Sequence, residues 1–212
     1  LVLPNNAHLA FRTIERMGKP CVAAVQGVAL GGGMEFALAC HYRIAEPMAR
    51  FGQPEIRLRL LPGDGGTQRL PRLLIDRRGE EGLRDAMDLI LGGRSIDAEA
   101  AEAIGFVDEL VDGAADALST AHAAVRDYIK QGEDSPLGAA FAERQAAADR
   151  WDTAAEVSLD AVMEDDFLQR ILRQLDWAGR GGAGQRALEA VRVGLEQGMT
   201  AGLAREAALF AD

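Results

Sequence analysis

The chain has 212 residues, 48% hydrophobic and 26% charged, which suits one well-buried soluble domain or a domain with a helical annex. Aromatic residues make up only 5%, so the core must rest on Leu, Ile, Val and Ala. A net charge of −10 argues against a general nucleic-acid binder, which needs a basic field to displace counterions from phosphates. The longest apolar candidate, Cys21 to Leu30, is broken by Gln26 and Gly27 and falls short of the roughly 18 residues of a membrane span, so no membrane association is expected.

Residues Leu9 to Met17 read as the end of a helix, with Leu9, Phe11, Ile14 and Met17 near one face, stopped by Gly18-Lys19-Pro20. Cys21 to Val25 has the small and β-branched pattern of a buried strand. Gly27 to Gly33 then reads as a Gly-rich turn, Met34 to Cys40 as a helix, and Tyr42 to Ala45 as a second strand, together an α/β unit. Three prolines and several glycines between Phe51 and Leu74 predict that no long regular element persists there. Helix is predicted from Glu80 to Leu91, and a further helix from an Asp97 N-cap to Gly105. Phe106 to Val111 reads as a strand and Ala114 to Ile129 as a helix. Beyond it, a helical stretch from about Ala154 to Trp177 precedes a Gly-rich linker at Gly179 to Gly184. Two short amphipathic helices close the chain, one with Leu188, Val191 and Leu195 on a face, the other with Leu203, Ala207 and Phe210. The expected division is a core over residues 1–130, a helical insertion and linker over 131–185, and C-terminal helices over 186–212.

Candidate chemistry begins at Gly31-Gly32-Gly33-Met34-Glu35. Glycines ahead of a helix leave backbone N–H groups uncovered, and the helix N-terminus adds partial positive charge, which suits an oxyanion. Glu35 falls in the first helical turn, where the dipole favours an ionised base. A plain tight turn, with Glu35 stabilising the helix start, satisfies the same residues. The spacing fits neither a P-loop nor the dinucleotide fingerprint, since Phe36 stands where a third glycine belongs. In Phe51-Gly52-Gln53-Pro54-Glu55, the proline sets Glu55 on a rigid bend that can aim a carboxylate at a pocket; a surface glutamate is the alternative. Leu61 to Leu70, with Pro62, Gly63, Asp64, Gly65 and Gly66, permits a turn with exposed amides, or a structural connection only. Cys21 and Cys40 lack metal-ligand spacing and read as buried free thiols of a reducing, cytoplasmic compartment.

Three ordered blocks carry a resemblance: KPCVAAVQGVALGGGMEFAL over 19–38, FGQPEIRLRLLPGDGGTQRLPRL over 51–73, and GRSI with AEAAEAIGFVDELV over 93–111. They resemble the enoyl-CoA hydratase/isomerase family, the crotonases, and ALEAVRVGLEQGMTAGLAREAALFA is similar to that family's C-terminal helices. The resemblance implies a spiral of short strands and helices and an acyl-CoA thioester substrate. It implies Gly32 as one oxyanion donor, Glu35 as base toward water and Glu55 as acid toward the α-carbon. Ala29, Gly31, Gly32, Pro54, Pro62 and Gly63 would contact the substrate. No metal or redox cofactor is implied, coenzyme A entering as part of the substrate, and a homo-oligomer (a trimer or dimer of trimers) is expected.

The activity implied is hydration of a 2-enoyl-CoA. A related isomerase or hydrolase, a hydratase segment of a multifunctional β-oxidation protein, and a non-catalytic acyl-CoA-binding subunit are the alternatives. His41, Arg59 and Asp64 depart from the family pattern, and His41 reads as a packing residue because it lies beyond the helix carrying Glu35. The chain starts without Met, and the family's N-terminal part with its second oxyanion amide is expected upstream. Residues 1–212 alone are therefore expected to fold poorly or depend on oligomerisation.

Overall fold

The computed structural model describes residues 3–112 and 116–211. Its core builds from short strands. β1 (Val22–Val25) is followed almost at once by β2 (Val28–Leu30), then by helix α2 (Gly32–Ala39), β3 (Tyr42–Ala45) and β4 (Arg50–Gly52). β1 pairs parallel with β3, Val22 opposite Tyr42, while β2 pairs parallel with β4, Val28 opposite Arg50. Each passage of the chain thus adds one strand to each of two sheets, and this alternation generates a spiral. β5 (Ser95–Asp97) joins β4 antiparallel, and β6 (Glu109–Leu110) joins β3 parallel, giving two three-stranded sheets.

Helices cover these sheets. α1 (Leu3–Arg16) precedes β1, and a 3-10 turn (Pro54–Leu58) leads to α3 (Gly66–Arg78) and α4 (Glu80–Gly92). Then come α5 (Ala98–Ala103), α6 (Ala117–Gln131), a 3-10 turn (Gly132–Asp134), α7 (Pro136–Arg150), α8 (Leu159–Met163), α9 (Asp166–Trp177), α10 (Gly181–Gln197) and α11 (Met199–Ala211). One buried cluster draws Met34 and Leu38 from α2, Phe51 from β4, Leu70 and Leu74 from α3, Ile171 from α9 and Val191 from α10. Residues far apart in sequence therefore share one core. A smaller cluster packs Tyr42 and Ile44 against Ala117, Ala121 and Leu137.

Several expectations need correction. Val28–Leu30 is a strand rather than part of a turn, because its backbone meets β4. α3 runs through Pro71, although an interior proline costs about 3 kcal/mol; Leu70, Leu73 and Leu74 are at most 2% exposed, and their burial offsets that loss. The predicted strand Phe106–Val111 shrinks to Glu109–Leu110, since the amides of Phe106 and Val107 both bond to Ala101 O and close α5. α7 was not foreseen as a separate helix; Ser135 caps it and Pro136 stands at its first position. The glycines expected to form a linker instead start α10, whose first helical residue is Gly181. The continuous helix expected over 154–177 is two, α8 and α9, capped by Ser158 and Asp165. The predicted start of α6 at Ala114 lies outside the described residues, and Asp116 caps the helix from Ala117. Asp97 does cap α5, accepting from the Ala100 amide.

The inner face of α1 is also not the predicted one. Leu9 is exposed, whereas His8 and Glu15 are buried. Glu15 receives two hydrogen bonds from Arg69 of α3, at 2.9 and 3.3 Å, so a buried ion pair docks α1 alongside the predicted Phe11, whose ring lies 5.7 Å from that of Phe36.

Candidate active site

Gly31 caps α2 at φ 54°, ψ −126°, a conformation costly for any residue with a side chain. Its own amide is used up, donating to Gly52 O of β4 at 2.9 Å. The next two amides, of Gly32 and Gly33, stand at the open end of the helix, have no hydrogen-bond partner among the described residues, and belong to exposed residues. One turn on, Glu35 points inward and is only 2% exposed.

Glu35 is gripped by a second backbone turn. Its Oε1 accepts from the amide of Asp64 at 2.9 Å and from that of Gly66 at 2.7 Å. Gly66 has to be bare: a Cβ there would lie 2.9 Å from Glu35 Oε1, 2.9 Å from the end of the Gln53 side-chain amide and 2.7 Å from Pro62 Cβ. Glu55 comes to the same place from the 3-10 turn that Pro54 begins, and a Cβ on Gly31 would stand 2.7 Å from its Oε1. The fully buried Gln53 turns its amide nitrogen to Glu55 and donates to both carboxylate oxygens at 3.2 Å.

Of the residues singled out from sequence, Glu55 lies against Gly31, Gly32 follows in the same turn, and Glu35 is near enough to Glu55 to feel its charge. Pro62 borders them through Gly66. Ala29, on β2, lies behind the glycines, its Cβ 4.0 Å from a Cβ position on Gly33. Gly63 is covered by α11, where a Cβ would be 2.5 Å from Phe210 Cδ2. Two cavities of about 450 and about 310 Å³ lie elsewhere, along residues 153–158, and neither is lined by Glu35 or Glu55.

The electrostatics reverse one expectation. Burial, and then the neighbouring carboxylates Glu206, Glu55 and Asp64, hold the Glu35 pKa well above the usual carboxylate range, despite the Gly66 amide that favours the anion. Desolvation thus outweighs the helix dipole invoked for an ionised Glu35. Burial also raises Glu55, to about 7, with Glu206 and Asp64 adding to the effect and a backbone hydrogen bond opposing it.

Sequence reasoning missed four contributors: Gln53, His8, Thr67 and above all Glu206. Glu206 is fully buried on α11 and sits in the stripe Met199, Gly202, Leu203, Glu206, Leu209, so the inner face differs from the predicted Leu203, Ala207, Phe210. An acid at a core spacing was the available signal. Its Oε1 accepts from the Gly65 amide at 2.6 Å and meets His8 Nε2 at 2.9 Å, and its Oε2 accepts from the Thr67 amide at 3.1 Å and from the Thr67 hydroxyl.

The residues that depart from the family pattern have separate accounts. His41 is buried; its Nδ1 accepts from the Cys21 amide at 3.0 Å and its Nε2 lies 3.3 Å from Glu15 O, which fits a neutral packing residue away from the carboxylates. Arg59 adopts φ 63° and ends the 3-10 turn. Asp64 aims its Oδ2 to 3.5 Å from a Cβ position on Gly32, beside the open amides. Cys40 is buried and Cys21 only half-buried, both as free thiols with their sulfurs 3.7 Å apart.

Comparison with known proteins identifies the family. The enoyl-CoA hydratase/isomerase family model matches residues 4–170. The fatty acid oxidation complex subunit alpha of Vibrio cholerae is 34% identical over 99% of this chain, and the chain spans 27% of that protein's length. A peroxisomal bifunctional enzyme of Danio rerio is 52% identical over 47% of the chain and 13% of its own length. Among solved structures, an enoyl-CoA hydratase from Bacillus anthracis is 28% identical with a TM-score of 0.58, covering 94% of this chain and 69% of that one. One from Thermoplasma volcanium is 26% identical with a TM-score of 0.57, covering 89% and 65%. The chain belongs to the enoyl-CoA hydratase/isomerase family.

Proposed function

We propose that this chain carries a hydratase site that adds water across the α,β double bond of an acyl-CoA thioester. The observation that carries the reading is that Glu55 lies against Gly31, next to the open amides of Gly32 and Gly33, with buried Glu35 within reach of its charge. Hydration needs one carboxylate and one carboxylic acid. The carboxylate takes a proton from water as its oxygen bonds the β-carbon; the acid delivers a proton to the α-carbon as the C=C π bond breaks. The thioester oxygen gains negative charge in between, and the Gly32 amide, at a helix N-terminus, is suited to receive it.

Burial raises both carboxyls above the ordinary range, which makes a protonated member available at neutral pH, and Gln53 stabilises ionised Glu55. The base role given to Glu35 by resemblance requires Glu35 to be ionised, and the acid role of Glu55 requires it to be protonated, once substrate is in place. Adding water across the double bond is redox-neutral and calls for no redox group; the Gly32 amide takes the charge-stabilising part here, and coenzyme A enters with the substrate. Ala29, Gly31, Pro54, Pro62 and Gly63 would border the thioester, as members of the turns that bear the amides and carboxylates.

A reducing, cytoplasmic setting accords with two free thiols 3.7 Å apart. A homo-oligomer is proposed on the family resemblance alone. No helix among the described residues is long and apolar enough to cross a membrane.

The test is a product assay. Crotonyl-CoA incubated with the protein should yield 3-hydroxybutyryl-CoA, with the oxygen taken from labelled water. Migration of the double bond without oxygen uptake, or release of free coenzyme A, would instead identify an isomerase or a hydrolase.

A further inference from the structure

The turn from Asp64 to Thr67 donates its four successive amides to two carboxylates in alternation. Asp64 and Gly66 donate to Glu35 of α2; Gly65 and Thr67 donate to Glu206 of α11. A turn cannot rotate to loosen one set without disturbing the other, because consecutive peptide planes share their Cα atoms. We infer that Glu206 is a positioning residue for the proposed hydratase: it clamps the Asp64–Thr67 turn so that alternate amides of that turn hold Glu35 in register with Glu55.

Three observations support it. First, Glu206 is 0% exposed yet carries four donors, from Gly65, from Thr67 twice and from His8, which is the full satisfaction a buried carboxylate requires. Second, the clamp closes from both chain ends: His8 lies on α1 and Glu206 on α11, 198 residues apart. Third, the turn is tied on its remaining side, since Arg69 Nη1 donates to Asp64 O at 2.9 Å while its other nitrogens hold Glu15 of α1. With the turn fixed on that side too, the anion at the start of α3 also meets the favourable end of that helix. Glu206 touches no candidate substrate atom in this arrangement and acts through Glu35.

The inference rests on the hydratase reading for its kinetic consequence but not for its structural one, and the experiment separates the two. Glu206→Gln and the milder Thr67→Val are compared with the parent by amide hydrogen exchange and by crotonyl-CoA hydration. Exchange at Asp64 and Gly66 should accelerate about tenfold or more in Glu206→Gln, and less in Thr67→Val, as local opening becomes easier. Exchange at Ile44 of β3 should be unchanged, which shows that the fold is intact. Turnover in Glu206→Gln should fall about tenfold to a hundredfold through misplacement of Glu35, with KM little altered. Added to Glu35→Gln, the same change should cost nothing further, the mark of a residue acting through another.

Parental exchange at Asp64 and Gly66 in Glu206→Gln overturns the inference. So do losses that multiply in the double variant. If Glu206→Gln does not fold, parental exchange at Gly66 in Thr67→Val overturns it equally. A parent that converts no enoyl-CoA refutes the hydratase reading instead, and the exchange data then decide the clamp alone.

Discussion

Gly66 and Glu35 meet at 2.7 Å, amide to carboxylate, at a place where no side chain fits on the glycine. This contact joins the end of one turn to the start of the catalytic candidate's helix, and it depends on a missing Cβ as much as on the N–H. In Gly66→Ala the new methyl would press on Glu35, Gln53 and Pro62 together. The expected cost is about 1–3 kcal/mol of stability, the usual range for overpacking, with turnover falling further than stability explains. Urea unfolding and steady-state kinetics on one preparation measure both.

The buried Glu15–Arg69 pair docks α1 onto α3. Removing only one partner leaves a charge without compensation, so Glu15→Ala should destabilise by about 3–5 kcal/mol. Replacing both by apolar residues of similar volume should recover much of that loss. Comparing the single and paired variants by chemical denaturation checks it; equal stability of Glu15→Ala and parent would show that α1 is held by other contacts.

Stability should respond to pH through the two raised carboxyls. Each is lifted above the ordinary value of 4.5, so over this window the native state binds more protons than the unfolded chain. Their contribution is complete below about pH 4.5 and is lost as pH rises, through about 7 for Glu55 and through its own raised pKa for Glu35. Unfolding free energy in this window should therefore fall more gently with rising pH in Glu55→Gln than in the parent. Parallel curves would remove Glu55 from the account.

Asp64 bears on the same balance from its place beside Gly32. Its charge raises both Glu35 and Glu55, so Asp64→Asn should move the acidic limb of the kcat/KM profile to lower pH. An unmoved limb would mean that Asp64 is neutral over the working range.

The sequence made some of this legible and hid the rest for identifiable reasons. β1, α2 and α4 followed from local pattern, and the Asp97 cap from its side chain, because in each case neighbours in sequence supply the determining contacts. Glu35 and Glu55 each sit where local residues can aim a carboxylate, but only the blocks that resemble a known family pair them; their spacing alone carries no information. β2 was hidden in a Gly-rich run, since only pairing to β4 makes it a strand. α3 was denied by Pro71 and α10 by its glycines, local signals that burial overrides. Glu206 lies 171 residues beyond Glu35, and nothing short of the folded turn connects them. His8 and Glu15 were passed over because a buried helix face was assumed to be apolar.

The central claim is that Glu35 and Glu55 together perform the hydration. Its most direct measurement is single-turnover conversion of crotonyl-CoA by Glu35→Gln and by Glu55→Gln, with acyl-CoA affinity determined in parallel. Each variant should lose about a hundredfold or more in rate and bind the thioester much as the parent does. Parental rates in both variants would contradict the account.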